Sequence, residues 1–282
     1  MTELDFDYLC TFLKARSGLA LGAEKRYLVE SRLIQVCRRF EVNTLPELVT
    51  TLKAGRNHSL ENAVVEAMTT NETFFFRDKG PFDLFRDVLL PRYLNSRASA
   101  RRLRIWCAAA STGQEPYSLA MLVKEASARL AGWNVEILAT DISTEVLDKA
   151  KAGLYSQFEV QRGLPIQLLL KYFKQEGDQW RIAPEIRAMV DYRPLNLIKE
   201  FGHLGVFDIV YCRNVLIYFD KPTKTDVLRR LANAMAPDGA LLLGAAETVL
   251  GLTDGLSPDP VNRGLYGKSA EAATTLRVAA SA

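Results

Sequence analysis

Apolar residues in the N-terminal part of the chain recur at helical spacing, and nothing there alternates as a strand would. Phe6, Leu9, Cys10 and Leu13 fall at i, i+3, i+4 and i+7, and Gly18 stands where a helix would stop. Val29, Leu33, Val36 and Phe40 form a second stripe. Thr44 with Glu47 makes a capping-box pattern opening a third helix, and Ser59 precedes a fourth that runs through Val64, Ala67 and Met68. A small all-helical domain is predicted over residues 1–76.

From Arg102 onward short apolar runs alternate with helical periods, the pattern of a parallel sheet covered by helices. Strands are predicted at Leu103–Cys107, Val135–Thr140, Val190–Arg193, Phe207–Tyr211 and Ala240–Gly244, with a closing segment near Gly264–Gly267. Helices are predicted at Pro116–Leu130, Ser143–Lys151 and Thr223–Met235, the last ended by Pro237-Asp238-Gly239. Between Gly163 and Asp191 the rhythm breaks: a short helix, Ile166–Phe173, runs into Glu176-Gly177-Asp178 and then the alternating Trp180-Arg181-Ile182. A polar Gly-Asp turn between such runs predicts a small antiparallel insert projecting from the main sheet. The sheet domain is expected over 77–268, and residues 269–282, lacking periodicity, are expected to be a disordered tail.

Composition narrows the chemistry. With 282 residues and 48% apolar side chains the chain can bury a large domain and a small one. No run reaches the roughly 18 apolar residues of a membrane span. The segment Met1–Asp7 carries Glu3, Asp5 and Asp7 instead of a basic signal-peptide start, so a cytoplasmic location without membrane insertion is expected. Cys10, Cys37, Cys107 and Cys212 form no C-x-x-C pair, and the histidines are His58 and His203, which argues against a bound metal and against His-centred hydrolysis. The net charge of +3 does not imply nucleic acid, and no Asn/Asp-Pro-Pro-aromatic base-methylation motif is present. The basic charge is uneven, however: Lys25, Arg32 and Arg39 repeat every seven residues along the edge of the second helix.

Four segments could carry chemistry. The first sheet strand leads into Ala108-Ala-Ala-Ser-Thr-Gly113, a small-residue turn before a helix that suits close approach of a nucleotide-type ligand. It is equally readable as a tight strand-to-helix turn. Asp141 ends the second strand, where a carboxylate can accept two ribose hydroxyls; alone it would be read as a capping or turn residue. Arg77, in Thr70-Asn-Glu-Thr-Phe-Phe-Phe-Arg-Asp78, could hold a carboxylate of donor or substrate, or simply pair with Asp78 or Glu72. Three consecutive aromatics cannot share one helix face, so some of them are expected to pack across the seam between the domains. After the fourth strand, Asn214 and Tyr218 are candidates for the site, against capping for the first and core packing for the second.

Together these strings resemble the CheR family of chemoreceptor glutamate methyltransferases: Thr70–Asp78, Ala108–Ser118, Ala139-Thr-Asp-Ile142 with Glu145-Val-Leu147, and Cys212-Arg-Asn-Val-Leu-Ile-Tyr-Phe-Asp220. The resemblance extends to about Lys268. It implies a helical N-terminal domain, a Rossmann-like class I methyltransferase sheet, and a three-stranded antiparallel subdomain within it. It also implies S-adenosylmethionine as donor, S-adenosylhomocysteine as product, no metal, and transfer to glutamate side chains of chemoreceptors in chemotactic adaptation. Carried over by motif, the donor contacts would be Asn71, Thr73, Arg77, Glu115, Asp141, Asn196 with Leu197, Arg213 and Asn214, with Arg77 and Tyr218 nearest the reacting methyl. Gln114 departs from the pattern, standing where an acid is common, so the donor assignment rests on Glu115. Lys25, Arg32 and Arg39 could grip the acidic helical methylation region of receptors, although each is equally readable as part of a solvated face. The turn Lys174–Gln179 is shorter and poorer in glycine than in relatives that dock a receptor pentapeptide, which counts against such docking. A methyltransferase acting on another substrate, or a donor-binding sensor, would use the same pocket.

Overall fold

A computed structural model describes residues 1–269. The chain divides into two compact units, Met1–Thr70 with Tyr218–Thr223, and the rest.

The smaller unit holds α1 (Glu3–Ser17), α2 (Arg26–Arg39), α3 (Leu45–Ala54) and α4 (His58–Met68). Thr2 and Asp5 cap the start of α1 reciprocally, and Gly18 ends it at φ +79 with its amide on Lys14 O, the left-handed stop that its position in the sequence predicts. Phe6, Leu9, Leu13, Val29, Leu33 and Val36 are buried as the stripes require, while Phe40 lies past the end of α2 and is half-buried. Two caps differ from expectation. Asn57, not Ser59, opens α4 by accepting from Leu60 N at 3.0 Å, Ser59 being already inside the first turn. The Glu47 carboxylate reaches past Thr44 to the Asn43 amide at 3.0 Å, leaving half a capping box. Tyr218–Thr223 is tied to this unit by Ala20 N on Tyr218 O at 2.9 Å and by the Lys14–Asp220 ion pair at 2.7 Å.

In the larger unit α5 (Gly80–Leu84), a π-helical turn (Phe85–Leu89) and α6 (Leu90–Ser96) precede the sheet; the π turn stands against Pro91, which has no N–H for a regular ladder. Then follow β1 (Arg102–Cys107), α7 (Gln114–Glu125), β2 (Asn134–Asp141), α8 (Thr144–Ala152), β3 (Leu154–Ser156), α9 (Gln157–Gln161), α10 (Ile166–Tyr172), β4 (Phe173–Glu176) and β5 (Gln179–Ile182). The rest are α11 (Pro184–Arg187), β6 (Val190–Pro194), β7 (Phe207–Cys212), α12 (Lys221–Asn233), β8 (Met235–Leu243), β9 (Leu256–Pro258) and β10 (Leu265–Lys268). The seven-stranded sheet has the order β6-β2-β1-β7-β8-β10-β9. All strands from β6 to β8 run parallel and β10 is reversed against β8, which is the class I methyltransferase arrangement. Successive strands step one way from β1 to β2 and β6 and the other way from β7 to β8. The switch point, where open α/β sheets bind ligands, therefore lies at the carboxyl ends of β1 and β7.

Several elements depart from the sequence reading. Pro237-Asp238-Gly239 does not end α12 but lies inside β8, opposite the register shift between Phe207 and Ile209. Tyr93 donates its hydroxyl to Asp208 O and Asp238 O, and Arg97 pairs with both aspartates, which pins the irregularity in the ladder. Helix α7 begins at Gln114 and ends at Glu125, with Pro116 tolerated in its first turn. The small sheet, of order β3-β5-β4, takes its first strand from Leu154–Ser156, ahead of the interrupted stretch; three residues are too few to show alternation. It is not a detached projection, since Tyr155, Phe173 and Ile182 join the same hydrophobic core as β1 and α7. Phe75 also belongs to that core, edge-on to Tyr155 and Phe173, and Phe76 is edge-on to Phe82, so both aromatics pack within this unit. Of the tail expected at 269–282, residues 270–282 lie outside the described residues, while Ser269 N bonds to Gly255 O. Among the described residues no helix is long and apolar enough to cross a membrane.

Candidate active site at the carboxyl edge of the sheet

The loop after β1 is fixed by its neighbours: Ala108 N bonds to Tyr211 O at 2.8 Å and Ala110 N to Thr140 O at 2.9 Å. It turns through two left-handed residues, Ser111 (φ +48) and Gly113 (φ +93). A Cβ on Gly113 would lie 2.7 Å from Tyr192 Oη and 2.9 Å from Ala150 Cβ, so only glycine fits. From the small sheet, Tyr155 donates its hydroxyl to Thr112 O at 2.8 Å and so supports this loop from below. Ser111 Oγ donates to Asn71 O at 2.8 Å, which brings the Asn71–Arg77 segment alongside.

Asp141, at the end of β2, is buried, and its carboxylate accepts from Ser111 N at 2.8 Å and Ser143 N at 3.0 Å. Burial pushes its carboxyl above the ordinary range, against the pull of the amides of Ser143, Ser111 and Ile142. The turn reading and the ligand reading are thus both compatible with the geometry, because three amide bonds leave the carboxylate some acceptor capacity.

Arg213 follows β7 and is the electrostatic centre. Its side chain is 1% exposed; Nη1 meets Glu115 Oε2 at 2.7 Å, and Nη2 meets Asp78 Oδ2 at 2.6 Å and Arg77 O at 2.9 Å. Its Nε has no hydrogen-bond partner among the described residues. Burial raises the Glu115 carboxyl, and Arg213 opposes that rise.

The two ion pairs open to Arg77 by sequence are not the ones it makes. Asp78 is held by Arg213 and the Glu72 carboxylate by Arg162, whereas Arg77 donates to the Glu72 carbonyl at 2.6 Å and lies 5.6 Å from the Phe74 ring centre. Phe76, Asp78 and Lys79 all adopt positive φ, so this segment carries backbone strain that the packing maintains. Gly163 is where the insert meets it: a Cβ there would lie 2.1 Å from Phe75 O. Thr73 is half-buried on the same segment.

Asn196 and Leu197 follow β6, joined to the site by Leu195 N on Asp141 O at 2.9 Å. Asn196 Oδ1 accepts from Ile198 N at 3.2 Å, and Leu197 O from Arg230 at 2.8 Å. Asn214 has φ +59. A residue that the sequence reading passed over holds that turn: Glu247 accepts the amides of Asn214, Val215, Leu216 and Gly244. Its one sequence signal is position, an acid three residues past a predicted strand that ends at the same sheet edge.

Thus Asn71, Arg77, Glu115, Asp141, Asn196, Leu197, Arg213 and Asn214 converge within the larger unit, whereas Lys25, Arg32, Arg39 and Tyr218 belong to the smaller one. The basic row is not uniform. Lys25 ends a 3₁₀ turn before α2, and Arg39 is exposed beside the Phe40 ring. Arg32 instead donates to Met68 O and Thr69 O, both at 2.9 Å, and to Thr70 Oγ1, so it caps the C-terminus of α4.

Residues 4–69 match the family model described as CheR methyltransferase, all-alpha domain, and residues 71–263 match CheR methyltransferase, SAM binding domain. Chemotaxis protein methyltransferase 1 of Vibrio cholerae is 41% identical over 95% of this chain and 98% of its own length. Chemotaxis protein methyltransferase of Vibrio anguillarum is 43% identical over the same shares, and chemotaxis protein methyltransferase 1 of Pseudomonas aeruginosa 42% identical over 89% and 92%. With both family models spanning its two units in order, this chain belongs to the CheR family of S-adenosylmethionine-dependent methyltransferases.

Proposed function

We propose that this chain methylates glutamate side chains of bacterial chemoreceptors in the cytoplasm, converting them to methyl esters, with S-adenosylhomocysteine as the other product and no metal required. One observation carries the reading: a small-residue loop, a strand-end carboxylate and a left-handed asparagine turn meet at the switch point of a methyltransferase sheet. The residues fit the donor. Ala108–Gly113 presents backbone without side-chain bulk, and the acceptor capacity left on Asp141 suits a ribose hydroxyl. Asp78, Glu115, Asp141 and Glu247 outnumber Arg77 and Arg213 around the site, an excess of negative charge that favours a cationic ligand in a place of low polarisability. Bound there, S-adenosylmethionine supplies an electrophilic methyl group on a sulfonium.

A glutamate acceptor is already ionised at neutral pH, so no general base is needed, and none is assigned. The work of the protein is alignment and exclusion of water. Arg77, whose guanidinium faces a carbonyl and a ring instead of a carboxylate, is the cation proposed to orient a carboxylate. Tyr218 is assigned beside the methyl on family resemblance. Lys25 and Arg39 are proposed to attract acidic receptor helices, and Arg32 to act through α4. The two-residue turn Gly177-Asp178 supports independence from a docked pentapeptide.

The test is incubation with methyl-labelled donor and a panel of receptor signalling domains. Base-labile label on receptor glutamates is expected, abolished by Arg77→Ala while S-adenosylhomocysteine still binds. Alkali-stable label, or no transfer to any receptor, would overturn the proposal.

A further inference from the structure

At the end of β8 the chain turns through Gly244-Ala245-Ala246-Glu247, and the Glu247 side chain folds back under the neighbouring turn after β7. Oε2 accepts from Gly244 N at 2.7 Å and Asn214 N at 2.8 Å; Oε1 accepts from Val215 N at 2.9 Å and Leu216 N at 2.7 Å. Three successive amides converging on one point form a concavity for an anion, and here a side chain of the protein fills it. The residue is 9% exposed, so water competes little for these bonds. Asn214 sits at φ +59, in the left-handed region that asparagine tolerates better than other non-glycine residues, and the four amide bonds to Glu247 hold the turn there. Gly244 completes the fit: a Cβ there would lie 2.8 Å from both Asn214 Nδ2 and Glu247 Oε2, and 2.9 Å from Asn214 N.

We infer that Glu247 is a positioning residue for the methyl-transfer site: its carboxylate locks the Asn214–Leu216 turn in the one backbone conformation that presents Asn214 to the donor. The inference rests on the proposed donor pocket. Replacing one carboxylate oxygen with an amide NH₂ sets a donor against two N–H donors, so Glu247→Gln should release the turn. Loss of these charge-assisted bonds is expected to lower S-adenosylhomocysteine affinity by roughly tenfold or more, read by calorimetry. The action runs through Asn214, so in an Asn214→Ala background the same substitution should change affinity by less than about twofold. Gly244→Ala, whose Cβ would press on both Glu247 Oε2 and Asn214, should behave alike and serves if Glu247→Gln does not fold.

Amide hydrogen exchange adds a readout that needs no donor: Glu247→Gln should deprotect Asn214, Val215 and Leu216 while the amides of β7 stay protected. Additive affinity losses in the double variants, or unchanged protection of those three amides, would overturn the inference. If wild-type protein takes up no S-adenosylhomocysteine, the donor-pocket reading fails, and with it the role for Glu247, even where exchange shows that the carboxylate holds the turn.

Discussion

Asp220 and Asp141 are both aspartates next to the start of a helix, yet their environments drive them in opposite directions. Asp220, in the smaller unit, is held down to about 2 by its bonds to Lys14 and Thr223 with little burial to oppose them. Asp141, at the sheet edge, is raised by burial even though three backbone amides pull it down. Where desolvation is slight the partner decides; where it is strong, desolvation does. The same division separates the two groups of charges proposed to act in function. The exposed cations Lys25 and Arg39 are free to act at long range, whereas at the sheet edge Glu115, Arg213 and Glu247 are buried and held by specific partners.

The sharpest way to break this comparison is Arg213→Ala. It leaves the Glu115 carboxylate buried without its cation, and loss of one partner from a buried pair costs about 3–5 kcal/mol. Urea unfolding should show a drop of that order. A loss below about 1 kcal/mol, the range of exposed pairs, would mean that water already screens the site.

Acid titration sharpens the other half. The Asp220 carboxyl is depressed in the folded state, so its contribution is present above its ordinary value of 3.8 and is lost as pH falls toward about 2. Wild-type protein should therefore be more stable than Asp220→Asn near neutral pH, and the gap should close across that interval in thermal unfolding scans. A gap that widens on acidification would contradict the assignment of Lys14 as the main cause.

The smallest effect on stability is expected for Lys25→Glu with Arg39→Glu, within about 0.5 kcal/mol, because neither side chain is buried. Receptor methylation should nevertheless weaken, most at low salt, with S-adenosylhomocysteine affinity unchanged. Equal loss of both activities would remove the proposed division of labour.

Local pattern was enough for what is local. The stripes of α1 and α2, the stop at Gly18, the alternation of parallel strands with helices, and the strand-end positions of Asp141, Arg213 and Asn214 all follow from periodicity and turn chemistry within a few residues. The family strings placed the donor-site candidates in order along the chain.

What the tertiary structure decided is what depends on partners distant in sequence. β3 and β9 are three residues long and exist because neighbouring strands offer hydrogen bonds, a condition with no period to detect. Pro237-Asp238-Gly239 reads as a turn until Tyr93 and Arg97 hold it within β8. Arg32 looks like the middle of a basic row, but its acceptors are carbonyls at the far end of another helix. Glu247 has no motif at all, and its four amides come together only when β7 and β8 lie side by side, since a buried carboxylate must find donors wherever the fold supplies them.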